Sequence, residues 1–225
     1  ILFLNISEAQ VFIPFAYWQK KLTWSPTDLG TNLAAWYDAS DPTTIRAGVS
    51  GVSQANDGDL VTQWSDKSGN SFHAVQSTSG REPTYNATAW TGSKPTITWN
   101  ATNAGLVVTG LTLQKYSFGL VMRQATTTSV RAILTKRGAV SANFFWFTFT
   151  GNRIFWDQNG NRLDTGFTPA SATDYIYTVV RPLTGSNREQ YVNGTLSGSS
   201  ATNPDDNNAN SLIIGNDYSA ANRGA

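Results

Sequence analysis

The 225-residue chain has no cysteine, one histidine, one methionine and only three glutamates. Without cysteine there are no disulfides, no thiolate metal ligands and no thiol nucleophile, so stability rests on packing and hydrogen bonding. A single imidazole, His73, rules out a multi-histidine zinc or iron centre, and a serine triad would have to use it without any G-x-S-x-G element beside it. Glu8, Glu82 and Glu189 lie far apart, and no E-x-D-x-E strand motif places two carboxyl groups across a glycosidic bond. The chain therefore reads as a non-enzyme. Sixteen basic against fifteen acidic residues give a formal net charge of +1 with no Lys/Arg cluster, which leaves no electrostatic footprint for nucleic acid. Long apolar runs are absent too. The nearest, "ILFLNISEAQVFIPFAYW", is broken by Asn5, Ser7, Glu8, Gln10 and Pro14, so it is expected to be an extended apolar segment and not a membrane span. The first residue is Ile1, as expected of part of a longer polypeptide. Phosphate-binding glycine loops, heptads and fixed-period repeats are also missing.

What is present is 12% aromatic residues, eight of them Trp, in short runs rich in Val, Ile, Thr, Phe, Tyr and Trp between Gly, Asn, Asp, Ser and Pro clusters. This pattern predicts an all-β chain. Strands are expected at 33–39, 60–66, 73–76, 95–100, 105–110, 116–123, 131–137, 143–150, 153–158, 175–181, 188–194 and 211–216. A dozen short strands imply two packed antiparallel sheets, since one open sheet that wide would leave a face uncovered. Gly151-Asn152 and Asn193-Gly194 are expected to form two-residue hairpin turns, and 198–210, "GSSATNPDDNNAN", a surface loop. "WSPTDLG", Trp24 to Gly30, separates an N-terminal apolar arm, 1–27, from a sandwich over 28–225.

Several stretches carry polar residues in patterns that chemistry uses. "YDASDP" places Asp38 near Asp41, and "QANDGDL" places Asp57 near Asp59; each reads as a turn, with calcium as the alternative cofactor, although neither has the spacing of an EF-hand. His73 is expected to be a half-buried strand residue bonded to a backbone carbonyl. Sequons occur at Asn5, Asn86, Asn100 and Asn193. Aromatic faces stack on the apolar faces of sugar rings while amides and carboxylates bond the hydroxyls. On that reasoning Trp156, Asp157 and Asn159 are the candidate ligand-binding cluster.

In order, "LAAWYDASDPTTI", "VTQWSDKSGNSFHAVQ", "REPTYN", "KPTITWN", "YVNG" and "SLIIGN" resemble the concanavalin A-like lectin/glucanase superfamily, and most of all the laminin-G-like domains common in phage virion proteins and bacterial surface proteins. The resemblance spans about residues 28–216. It implies a jelly-roll sandwich in which the W-x-D-x-S-G-N stretch forms a corner, with Asp66, Ser68 and Asn70 satisfying backbone groups and Trp64 in the core. Such domains usually continue after the "IG" strand with a returning strand of the type F-x-G-x-I-x-E-V. Here that strand either lies outside this sequence or is replaced by another segment, with 1–24 as the candidate. The glutamate motif of the glucanase members is lacking. The first functional expectation is a structural or adhesive bacteriophage virion protein active in host attachment. It would be displayed on the virion surface and joined to other virion proteins or its own copies through the arm. The alternative is a carbohydrate-binding module of a secreted or cell-surface bacterial protein, with cell-surface glycans as partners.

Overall fold

In a computed structural model, residues 2–4, 25–90, 93–99, 104–112, 116–124, 131–137, 142–147, 154–158, 161–181, 187–202 and 211–215 are described. The described residues form an all-β sandwich with every strand pair antiparallel. Strands in chain order are β1 Leu2–Leu4, β2 Leu33–Trp36, β3 Ile45–Ala47, β4 Ser53–Gln54, β5 Val61–Trp64, β6 Ala74–Val75, β7 Thr84–Trp90, β8 Lys94–Thr98 and β9 Gly105–Val108. They continue with β10 Tyr116–Arg123, β11 Arg131–Arg137, β12 Ala142–Phe147, β13 Ile154–Gln158, β14 Asn161–Asp164, β15 Asp174–Arg181, β16 Arg188–Val192, β17 Thr195–Ser200 and β18 Leu212–Gly215. One sheet runs β17-β16-β15-β10-β1-β2, and the other β14-β13-β12-β11-β18-β9-β6-β5-β3-β4. The hairpin β7-β8 forms a separate two-stranded sheet, bridged at Thr84 to Leu60 just before β5.

Alternation decides which side chains enter the core. In β10, Tyr116, Phe118 and Leu120 are buried while Val121 is exposed; opposite them Tyr177 and Val179 of β15 are buried while Ile176 is exposed. These residues join Ile45, Trp64, Leu106, Val108, Leu134 and Ile214 of the second sheet in one apolar cluster, which fixes the two sheets face to face. The β7-β8 hairpin contributes Tyr85 and Ile97 to the same cluster. It is tied to the second sheet by Tyr85 N–H to the Asp59 carbonyl (2.9 Å) and reaches the first through Trp90, whose ring lies 5.3 Å from the Arg123 guanidinium.

The Asn193-Gly194 turn forms as the sequence predicts. Val192 pairs with Thr195 across it, and both turn residues take positive φ (49° and 79°), as a type I′ turn requires. The Gly151-Asn152 turn lies outside the described residues. Of the expected loop at 198–210, residues 198–200 belong to β17 and residues 203–210 lie outside the described residues. The Gly/Ser sequence of β17 has no apolar alternation to betray a strand, yet the hairpin holds it in register, and Gly198 lets it approach Thr165, where a β-carbon would lie 2.8 Å from Cγ2. The most informative placement is β1. Leu2–Leu4 pairs with β10 on one side and β2 on the other, so the start of the chain fills an internal strand position of the first sheet. A segment from 1–24 thus occupies a place in the sandwich.

Candidate functional site

β2 is an edge strand, and an edge strand presents unpaired N–H and C=O groups. The corner after Trp64 covers them. Asp66 Oδ1 accepts the Trp36 N–H at 2.8 Å, Lys67 N–H donates to the Trp36 carbonyl at 2.8 Å, and the Asn70 amide donates to the Leu33 and Ala34 carbonyls at 2.8 and 3.0 Å. The buried Asp66 carboxylate also takes Ser68 N–H (2.9 Å), Ser68 Oγ–H (2.7 Å) and Phe72 N–H (3.1 Å), so four donors converge on it. Asp66, Ser68 and Asn70 therefore do satisfy backbone groups, and Trp64 is core, with its ring 5.6 Å from that of Tyr37. Tyr37 donates its hydroxyl proton to the Phe72 carbonyl. Burial, reinforced by the Asp66 charge, pushes that hydroxyl's pKa far up and keeps it a donor.

His73 departs from expectation. It is exposed, it precedes β6 instead of lying within it, and its Nδ1 accepts the Asp66 N–H at 3.1 Å instead of its ring bonding a carbonyl. Only Ala74 and Val75 pair as strand, so residue 73 lies just before the sheet begins.

The Asp38/Asp41 pair is used by a resident cation. Lys67 Nζ lies 3.0 Å from Asp38 Oδ2 and 2.8 Å from Asp41 Oδ2, and 4.3 Å from the centre of the Trp36 ring. Burial works to raise the Asp38 carboxyl's pKa, but hydrogen bonds from Ser40 and Lys67 outweigh it and hold it below the usual range; Lys67 and Thr43 do the same for Asp41. The Lys67 ammonium, which burial alone would lower, is raised by the two carboxylates. Asp59 accepts the Asn56 N–H at 2.8 Å, the turn role expected of it, while Asp57 reaches across to accept the Ala87 N–H of β7 at 2.7 Å. Among the described residues no group of three or more His, Asp or Glu side chains could hold a metal ion.

Register then brings together residues that are distant in sequence. Leu196 pairs with Tyr191, Tyr191 with Thr178, Thr178 with Gly119, Gly119 with Leu2, and Leu2 with Trp36. Directly opposed residues of an antiparallel sheet share a face. Since Phe118, Tyr177, Gln190 and Ala35 point inward, Trp36, Gly119, Thr178, Tyr191 and Leu196 lie on the outer face of the first sheet. Tyr191 and Trp36 stand four strand spacings apart, roughly 19 Å. Between them the row passes through Thr178, Gly119 and Leu2, with the exposed pair Val121 (60%) and Ile176 (52%) alongside. Tyr191 donates to Glu189 Oε2 at 2.6 Å, and this bond, with burial, raises its hydroxyl's pKa. The Arg123–Asp174 ion pair (2.7 Å) closes one side of the row beside Trp90. The arrangement offers an apolar floor with aromatic and hydrogen-bonding groups at both ends.

The predicted cluster lies elsewhere. Trp156 and Asp157 stand on β13 of the second sheet, opposite Phe145 and Phe144 on one side and Leu163 and Arg162 on the other; Asn159 is outside the described residues. Sequence reading missed Trp36, Tyr191, Thr178 and Gly119. The available signal was the outward position of Trp36 in the alternating run "LAAW" and of Tyr191 two residues before the "NG" turn. Their alignment depends on β1.

No protein-family profile matches the chain, and no curated protein sequence does. Among solved structures, it is similar to domain 4 of AbnA, an extracellular GH43 arabinanase from Geobacillus stearothermophilus, in complex with arabinotriose. The TM-score is 0.53 at 14% identity, over 71% of this chain and 84% of that one. The likeness shows the fold alone, a β-sandwich. Among the described residues no helix is long and apolar enough to cross a membrane.

Proposed function

We propose that this chain is a non-catalytic carbohydrate-binding module of a secreted or cell-surface bacterial protein. The row from Tyr191 to Trp36 carries the reading: two aromatic side chains at the ends of an outward floor of small and aliphatic residues, with Glu189, Lys67 and the Asp38/Asp41 pair beside them to meet hydroxyl groups. Support also comes from the neighbouring structure, a domain of an extracellular enzyme in complex with an arabinose trisaccharide. The virion setting rests on motif order and on an apolar arm left to bind a neighbour, and Leu2–Leu4 of that arm is instead paired inside the sheet.

A glycan panel that includes arabinotriose and longer arabino-oligosaccharides, followed by calorimetry, tests the proposal. Saturable binding that Trp36→Ala weakens without loss of fold is expected. Absence of binding to every glycan offered would sink it.

A further inference from the structure

Trp36, one end of the row, is seated by the corner, and the corner is stitched at its own base. Phe72 N–H donates to Asp66 Oδ2 and Asp66 N–H donates to His73 Nδ1, both at 3.1 Å. Because Nδ1 accepts, the neutral ring carries its proton on Nε2. Protonation places a second proton on Nδ1, which then faces the Asp66 N–H donor to donor. The ring must swing away, and the backbone of Asp66 loses a fixed point one residue before the amide that holds the Trp36 carbonyl.

Among the described residues, the titratable and charged groups at this corner are the Asp66 carboxylate within the loop, the Tyr37 hydroxyl on the Phe72 carbonyl, Lys67 over the Trp36 ring, and, on the connection from β2 to β3, Asp38 and Asp41. The last two are held below the usual carboxylate range, so they stay charged while imidazoles titrate. His73 is the only imidazole of the chain.

We propose that His73 makes the seat of Trp36 responsive to pH through Asp66, the seat loosening as the imidazole gains its second proton. Where the glycan reading also holds, affinity at the Trp36 end falls with pH. That consequence rests on the reading above, while the movement of the seat does not. Losing one hydrogen bond of this kind corresponds to a roughly two- to tenfold weakening.

The test follows the backbone amides of Asp66 and Trp36 and the His73 ring by NMR in the full chain from about pH 8 to 5, the interval across which imidazoles protonate. The His73→Gln variant, whose side-chain oxygen can accept the same N–H without titrating, is followed in parallel. Both amides are expected to shift with the midpoint of the ring and to stay still in the variant. A Trp36 amide that ignores the ring titration, or moves equally in His73→Gln, overturns the proposal. Arabinotriose is the ligand probe. If it binds and weakens with pH in the wild type alone, both readings gain. If no glycan binds at any pH while Trp36 follows His73, the binding function fails and the coupling stands.

Discussion

Gly215, the last residue of β18, lies so close under the indole of Trp99 that a β-carbon there would overlap Nε1. Its φ of +99° also disfavours any side chain. Trp99 directly follows β8, so this approach packs the β7-β8 hairpin against the second sheet. Gly215→Ala is expected to lose about 2–4 kcal/mol, overpacking added to backbone strain. Gly58 provides the control: its φ is +86° with nothing within 4 Å, so Gly58→Ala should lose only about 1 kcal/mol. Urea denaturation of the two variants separates clash from strain, and equal losses would refute the packing argument.

Asp66 supports the edge cover. Its carboxylate accepts from Trp36, Phe72 and twice from Ser68, and an amide in its place turns an acceptor into a donor facing N–H groups. Asp66→Asn is therefore expected to destabilise by about 2–4 kcal/mol, the loss of charge-assisted bonds plus a stranded donor. It should also uncover β2. Light scattering that rises with concentration in Asp66→Asn and not in wild type would show that the corner guards against strand pairing between molecules.

Much of this corner was legible because the family resemblance rests on one short motif, with Trp64, Asp66, Ser68 and Asn70 inside seven residues. The Asn193-Gly194 hairpin was legible from its own turn chemistry, which depends on short spacing. The row from Tyr191 to Trp36 was not, since it depends on the register of five strands and on β1, a three-residue strand too short to carry an alternating pattern. β17 hid behind a Gly/Ser composition that reads as loop. Nor does alternation foresee Arg188 and Gln190, both fully buried on the inner face of β16, where the pattern calls for apolar residues. His73 was misplaced because an aromatic-sized residue beside "AVQ" looks like strand, whereas the strand that forms holds only Ala74 and Val75.

The Lys67 cluster sets a pH dependence of stability with two limbs. Asp38 and Asp41 have folded-state pKa values below the unfolded value, so their contribution is complete above about 4 and is lost as pH falls through the lowered values. Lys67 is raised, so its contribution is complete below about 10.4 and is lost as pH rises through the raised value. All three side chains are partly exposed, which limits the effect to roughly 1 kcal/mol. Lys67→Met should flatten both limbs in thermal unfolding scans. An unchanged acid limb would mean that the carboxylates draw their stabilisation from Ser40 and Thr43 alone.

Asn193 joins the β16-β17 turn to β15. Its N–H donates to the Ile176 carbonyl at 2.8 Å and its side-chain oxygen accepts the Ile176 N–H at 2.9 Å. Asn193→Gly keeps the positive φ and loses only the side-chain bond, so it should cost about 1 kcal/mol. Asn193→Ala loses the bond and strains the turn, and should cost about twice that. Equal losses in denaturant would show that φ at 193 is not a constraint.

If a glycan lies along the row, its affinity depends on chain length in a way that the register dictates. A ligand must cross four strand spacings, roughly 19 Å, to touch both Tyr191 and Trp36. Affinity should therefore rise with each added sugar until both ends are engaged, and then level off. Trp36→Ala should lower the plateau by about 2 kcal/mol, near 30-fold, as expected for an aromatic anchor, and leave ligands too short to leave Tyr191 unchanged. Tyr191→Ala should show the reverse pattern at its own end. The double variant distinguishes one continuous row from two separate patches. On one long ligand the first loss should make the second smaller, because a chain held at one end only gains little from the floor between. Strictly additive losses, or an affinity indifferent to length, would place the sugar away from this face.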